Sequence, residues 1–394
     1  MRNSIAAGLA FGIGFFAFLV PAHAQADVAT AESKASTIPN ANQYICTFVA
    51  SVSPGEVRAE TAKAVNPELG QVLFTYTHAI KGFAVRLPAS ASASSAEARL
   101  KANNAHVQRC ERDGIVRAVT EPTAGRPTGV GGGGGGPKQT VPWGVQRVGR
   151  GDGTLLTARA WVIDSGIDLT HPDLSVDAAN GASFLIGDSS LNDGNGHGTH
   201  VAGTIAAKDN KVGVVGIASG ARVVPLRVLD SGGSGPDSGV IAALDFLMQH
   251  GVAGDVANLS LVADFPSVTM DEAVVNTGAA GFFIVIAAGN SSANAGGYSP
   301  GRANGTNVYT VSAFSNGDNW ASFSNYGNPP IDWSEPGVSI KSTYKGGGYT
   351  TLSGTSMAAP HLAGLLLLKG SLGPSDGGAV NGDPDGNADR IGIK

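Results

Sequence analysis

Apolar residues in the first third of the chain recur at every second position in short runs. Tyr44-Ile45-Cys46-Thr47-Phe48-Val49 reads as a strand, and Val72–Tyr76, Gly82–Leu87 and Ile115–Val119 read as three more. Helical spacing covers Pro54–Val65, with its proline early as helix starts allow, and Ser95–Cys110. Strand–helix–strand–strand–helix–strand is the split βαβ pattern of a small α+β (ferredoxin-like) unit. Further along, short apolar runs alternate with helical stretches. Ala160–Asp164, Arg222–Leu229, Val256–Leu261 and Phe282–Ala288 read as buried strands. Val240, Ile241, Leu244, Leu247 and Met248 mark one helical face that Gly251 closes, and Thr269–Gly278 predicts another helix. This alternation predicts an α/β fold: a mainly parallel, doubly wound sheet with helices on both faces. Functional groups then belong at the carboxyl ends of the strands.

Composition changes this picture in three places. Charged residues are 14%, apolar residues 42% and the net charge only −5, which excludes global disorder. A slightly acidic chain also offers no basic surface for nucleic acid. Glycine, 57 of 394 residues, is about double its usual share of roughly 7%. Part of that excess is local: Thr128–Pro137 reads TGVGGGGGGP, a flexible linker between two folded pieces. Residues 1–24 carry Arg2, an uncharged apolar run from Ile5 to Val20, and Ala22-His23-Ala24, the three parts of an export signal. The mature protein is therefore expected to be secreted, extracellular or periplasmic, with no membrane association once the signal is removed. The cysteines, Cys46 and Cys110, have one possible pairing in an oxidising compartment, but sequence does not say whether they meet.

Three segments carry candidate chemistry. Val162-Ile163-Asp164-Ser165-Gly166-Ile167 ends a strand on an acid. Asn195-Gly196-His197-Gly198-Thr199-His200-Val201-Ala202-Gly203 opens a small-residue helix on a histidine. Leu352-Ser353-Gly354-Thr355-Ser356-Met357-Ala358-Ala359-Pro360-His361 opens an apolar helix on a serine, with Pro360 placed to kink or interrupt it. Alone, such an Asp caps a turn and such a Ser caps a helix. Together and in this order the segments resemble the subtilisin-like serine proteases, the subtilases. VANLSL from Val256, VIAAGN from Val285, ASFSN from Ala321 and PGVSIKST from Pro336 match the family too, so that the resemblance runs from about Val141 to Lys369. A lipase-type elbow fits poorly, because Gly354-Thr355-Ser356-Met357-Ala358 lacks its second glycine. No His-Glu-x-x-His zinc pattern occurs, and His200 and His361 read as structural.

The resemblance implies a secreted serine endopeptidase that forms an acyl-enzyme. Ser356 is the implied nucleophile, His197 the base, Asp164 its orienting carboxylate, and Asn290 a side-chain donor to the oxyanion. A peptide or protein substrate is implied to lie as a strand between Gly233-Ser234-Gly235 and Ser260-Leu261-Val262, with Ala288 and Gly289 lining the pocket before the cut. The family usually has Ser-Leu-Gly-Gly where this chain has Ser260-Leu261-Val262-Ala263, so that pocket is expected to be narrower or reshaped. The implied organisation is a signal at 1–24, an inhibitory pro-domain at 25–121, a linker at 122–137 carrying the maturation cut (a region from about Thr120 to Val141), and the catalytic domain at 138–394. Self-processing would remove the pro-domain, an intramolecular inhibitor, and both cysteines with it. The enzyme is expected to be a monomer and to need no cofactor for chemistry. Structural calcium is conceivable at an unknown site. The alternating acids of Asp383-Pro384-Asp385-Gly386-Asn387-Ala388-Asp389 suggest it but fail the EF-hand pattern.

Overall fold

In a computed structural model of the chain, the described residues are 42–66, 70–88, 93–119, 138–154 and 156–394. The expected export signal and the glycine-rich linker lie outside them.

The N-terminal layer is a four-stranded antiparallel sheet. Its elements are β1 (Gln43–Phe48), α1 (Val57–Ala64), β2 (Gln71–Tyr76), β3 (Gly82–Arg86), α2 (Ala93–Asn103) and β4 (Val107–Arg112), with strand order β2-β3-β1-β4. The split βαβ pattern is therefore present, with one exchange. The expected helix over Ser95–Cys110 stops at Asn103, and the residues after it form the fourth strand. Val107-Gln108-Arg109-Cys110-Glu111-Arg112 is too polar to read as a strand, because it lies at a sheet edge and all of it but Val107 is half-buried or exposed. In β1 the alternation is functional on both faces. Tyr44, Cys46 and Phe48 pack under α1 and α2, whereas Ile45 joins the core shared with the rest of the molecule. Cys46 lies opposite Cys110, and the two form a disulfide.

The run Ile115–Val119 does not belong to that sheet. Its strand, β5 (Ile115–Ala118), lies between two strands of the larger layer. That layer is built on a long twisted sheet containing β6 (Ala160–Asp164), β7 (Arg222–Arg227), β9 (Val256–Leu259), β11 (Phe283–Ala287), β12 (Val308–Ser315), β13 (Ile331–Pro336) and β14 (Arg390–Ile393). The spatial order is β14-β13-β12-β11-β9-β6-β7, all parallel. Two short strands stand apart from it, β8 (Ser234–Pro236) and β10 (Leu261–Ala263).

Helices cover both faces, as the alternation predicts. On one face, α3 (His197–Ala206) and α6 (Thr355–Lys369) bury Val201, Ile205, Met357 and Leu362 against Val162, Val285 and Val311. On the other, α4 (Asp237–His250) and α5 (Val268–Ala279) bury Val240, Leu244, Met270 and Val274 against Trp161, Ile163 and Ile286. The N-terminal sheet packs on this second pair through Ile45, Tyr76, Ala79 and Ile80. Contrary to expectation, α6 runs uninterrupted through Pro360 to Lys369. A proline in the second turn forfeits only one intrahelical donor.

Candidate active site

The parallel sheet carries the first acid to its carboxyl edge. Asp164 ends β6 and is fully buried. His197 starts α3, and its Nδ1 lies 2.8 and 2.9 Å from the two Asp164 carboxylate oxygens. This contact fixes the proton on Nδ1 and leaves Nε2 as the acceptor. Nε2 is buried and has no hydrogen-bond partner. Close approach of α3 to β6 depends on Gly198, where a Cβ would stand 2.1 Å from the Gly166 carbonyl oxygen. Burial opposes protonation of His197, but the charge and hydrogen bond of Asp164, with Asp193 behind, hold the imidazole above its ordinary value of 6.5.

Asp193 was not singled out by the sequence reading. Its carboxylate accepts from Ser165 Oγ, from the amides of Asn195, Gly196 and Thr199, and from Thr199 Oγ1, and so locks the turn that delivers His197. The sequence signal was weak, because Asp193 stands three residues before Gly196, the N-cap position at which such an acid is ordinarily read. His200, one turn along α3, touches the Ile340 carbonyl, and burial beside His197 drives its pKa down to about 3. His361, also buried, is lowered to about 4. Both are neutral structural groups, as expected. His106, outside this site and half exposed, has its Nδ1 2.8 Å from Glu60 Oε2.

Ser356 lies in the first turn of α6. Its Oγ donates to the Ser260 carbonyl at 2.9 Å, and Ser260 Oγ donates back to the Ser356 carbonyl at 2.9 Å. Among the described residues Ser356 and His197 share no hydrogen bond, so Oγ must rotate to meet Nε2. Asn290 follows β11. Its Oδ1 accepts from the Thr355 amide at 2.9 Å and from Thr355 Oγ1 at 2.8 Å. An amide N–H can only donate, so the oxygen must face Thr355 and Nδ2 must face the other way. Nδ2 is buried with no partner. Thr355, which the sequence reading passed over, thus sets the orientation of Asn290.

Between the expected cleft edges lies β5. It pairs antiparallel with β8 on one side, Gly235 opposite Val116, and with β10 on the other, Val262 opposite Arg117. The Ala118 amide donates to the Gly233 carbonyl at 2.9 Å, and the Val119 amide donates to Ser356 Oγ at 3.2 Å. A cavity of about 250 Å³ beside Ala118 extends to His197, Asn195 and Tyr344. The two edge glycines have different reasons. Gly233 sits at φ 76°, whereas a Cβ on Gly235 would strike the Val228 carbonyl behind it at 1.9 Å. Gly235 also lies opposite Val116, so packing behind it and the neighbouring strand in front both leave room only for glycine. Ala288 and Gly289 form the turn into Asn290: Asn325 Nδ2 donates to the Ala288 carbonyl and the Gly289 amide donates to Thr355 Oγ1. Val262 Cγ2 lies 4.0 Å from where a Gly289 Cβ would stand, so a methyl group faces the Ala288–Gly289 turn.

At the C-terminus the acids answer one another's amides rather than converge. Asp383 accepts from Asp385 and Asp389, and Asp385 from Asn387. Among the described residues no group of three His, Cys, Asp or Glu side chains is placed to hold a metal ion.

Comparison with known proteins agrees with this geometry. The subtilase family model (Peptidase_S8) matches residues 161–375. Subtilisin Savinase of Lederbergia lenta is 44% identical over 243 residues, which is 60% of this chain and 87% of that protein. M-protease of Shouchella clausii is likewise 44% identical over 60% of this chain, and the match spans 61% of its own length. A crystal structure of a cold adapted subtilisin-like serine proteinase superposes with a TM-score of 0.56 at 34% identity, covering 63% of this chain and 96% of that one. An acid and a histidine at the sheet's carboxyl edge, a serine on the facing helix and the matched residues around them place the chain in the subtilase family.

Proposed function

We propose that the protein is a serine endopeptidase of the subtilisin type, made as a precursor that cuts itself on the carboxyl side of Val119. One observation carries this reading: β5 fills the cleft as a strand whose next amide, that of Val119, touches Ser356 Oγ. Strand addition is how a sequence-tolerant protease holds a peptide. The register selects the bond. In an extended residue the N–H and C=O point to the same side, since paired residues exchange both bonds. Ala118 directs its N–H to Gly233 in front of β8, so its carbonyl turns that way too. Val119 directs its N–H to Ser356, and its carbonyl is the one offered to Oγ. The cut then precedes Thr120, upstream of the glycine-rich linker at 122–137.

In this mechanism His197 Nε2 takes the proton of Ser356 Oγ as Oγ attacks the Val119 carbonyl carbon. Asp164 keeps the imidazole in the required tautomer and stabilises the imidazolium. Negative charge develops on the carbonyl oxygen, for which Asn290 Nδ2 and the Ser356 amide in the first turn of α6 are the donors. The loss of one such donor lowers the rate by about 10²–10³, a scale known from subtilisin itself. His197 then passes its proton to the leaving amine, and water hydrolyses the acyl-enzyme by the same relay. The Val262 methyl and the small Val119 side chain are consistent with a pocket cut down for small residues. Before release the N-terminal layer is an intramolecular inhibitor. The export pattern in residues 1–24 and the disulfide fit a secreted protein. Among the described residues no helix is long and apolar enough to cross a membrane.

The wild-type chain and a Ser356→Ala chain, purified in parallel and followed by intact mass and N-terminal sequencing, test the proposal. The wild type is expected to yield a mature chain beginning at Thr120, and Ser356→Ala to stay uncut. Equally prompt cutting of pure Ser356→Ala would overturn self-processing. Wild type that neither splits, digests casein nor takes up a phosphonylating label at Ser356 would overturn the protease reading.

A further inference from the structure

The occupied cleft contains a polar contact that the reacting groups do not use. Arg117 lies two residues before Val119, and its guanidinium bridges the two cleft edges. Its Nε and Nη2 donate to Asp264 Oδ1 and Oδ2 at 2.9 and 3.0 Å, and its Nη1 donates to Ser234 Oγ at 3.0 Å. The fork on Asp264 is bidentate, the arrangement for which a guanidinium is shaped and an ammonium is not. Both receptors ride on the strands that grip the backbone. Asp264 directly follows β10, and its own amide donates to the Ile115 carbonyl at 2.8 Å. Ser234 belongs to β8 and lies opposite Arg117 in the ladder, as Val262 does on the other side. Their reach to this position is therefore set by backbone register, whatever peptide occupies the cleft. Asp230 accepts from the Ser234 amide at 3.1 Å and adds a second negative charge to the same rim.

The geometry points to a side-chain subsite: Asp264 with Ser234 selects arginine two positions before the residue whose carbonyl is attacked. This rests on the protease reading above and names its substrate class, peptides and unfolded protein segments with a guanidinium at that position. The contact is partly exposed, with Arg117 53% and Asp264 34% accessible. The selection is therefore modest and salt-sensitive, about fivefold in kcat/KM for arginine over alanine at low ionic strength. Lysine ranks below arginine because one ammonium cannot meet both carboxylate oxygens and Ser234. Glutamate ranks last because it faces Asp264 and Asp230.

The test uses mature enzyme and peptides ending Val-X-Ala-Val before a chromogenic leaving group, with X arginine, lysine, alanine or glutamate. Wild type is expected to prefer them in that order. The arginine-to-alanine ratio should fall towards one in 1 M salt, and likewise in Asp264→Asn. In Asp264→Arg, glutamate should overtake arginine. That reversal cannot come from misfolding, since it requires a working enzyme. A flat ranking by wild type that cleaves the alanine peptide would overturn the subsite and leave the protease reading standing. Failure to cleave any of the peptides, together with no phosphonyl label at Ser356, would overturn both.

Discussion

At the scale of single residues, the proposed chemistry turns on His197 being neutral when Ser356 attacks. Burial pulls its pKa down and Asp164 with Asp193 pull it up, with a net rise. In the proposed mature enzyme, without the N-terminal layer, water would reach the ring, relieving the burial contribution and leaving the carboxylates in place. The acid limb of kcat/KM should therefore lie above pH 6.5, with activity rising through it towards the alkaline side. A pH profile with a neutral ester, free of substrate titration, checks this. A limb below pH 6.5 would mean that burial outweighs the carboxylates at the ring. The residues proposed to react, Asp164, His197 and Ser356, could be named from the sequence because each stands in a run of distinctive neighbours. Asp193, Thr355 and Asp264 could not. The first two act through hydrogen bonds to residues already identified, and Asp264 matters only because Val262 lies opposite Arg117, which leaves Asp264, two residues further on, within reach of the Arg117 side chain.

At the scale of elements, the alternation of strands and helices was readable wherever both faces of a strand are buried, as in β6, β9 and β11. It failed at β4, an edge strand whose polar run merges with the helix before it, and at β5. Period-2 spacing finds a strand but does not say which sheet receives it, and Arg117 of β5 pairs with residues 117 and 145 positions further along. What sequence left open about Cys46 and Cys110 is decided by the same topology, because β1 and β4 are neighbours. The bond closes a loop with a sequence separation of 64, and such a bridge contributes about 2–4 kcal/mol in a small domain. Only the N-terminal layer is tied. The double variant Cys46→Ala/Cys110→Ala should then lower the yield of processed enzyme severalfold, while the mature enzyme that does form keeps wild-type kcat and thermal stability. Loss of stability in the mature form would contradict removal of both cysteines with that layer.

At the scale of the whole molecule, the N-terminal layer grips the rest through carboxylates, and these make its hold depend on pH. Asp245 accepts the successive amides of Thr77, His78 and Ala79 at 2.9, 2.6 and 2.9 Å. Glu111 accepts from Ser267 Oγ and the Thr269 amide at the start of α5, and Asp113 accepts from the Ser238 amide and Oγ at the start of α4. Arg109 pairs with Glu272 at the margin. The arrangement also brings Asp113 and Asp237 together in a buried space. Burial pushes the Asp113 carboxyl up to about 6, against the pull of Ser238. Burial and the charges of Asp113 and Glu111 push Asp237 well above the usual carboxylate range. A carboxyl with a raised pKa in the closed state binds protons more readily there than after separation. Closure is thus favoured in acid, and that advantage is lost as pH rises through about 6 and beyond. Asp113 alone predicts release about tenfold more favourable at pH 7 than at pH 5. Processed complex held at pH 5 to 8, with aliquots assayed at one fixed pH, should unmask activity more completely as the holding pH rises. Asp237→Asn removes the more strongly raised of the two carboxyls, so it should flatten this dependence towards that of Asp113 alone and slow unmasking at pH 8. Unmasking that is independent of holding pH, or unchanged by Asp237→Asn, would show that the buried pair does not govern separation.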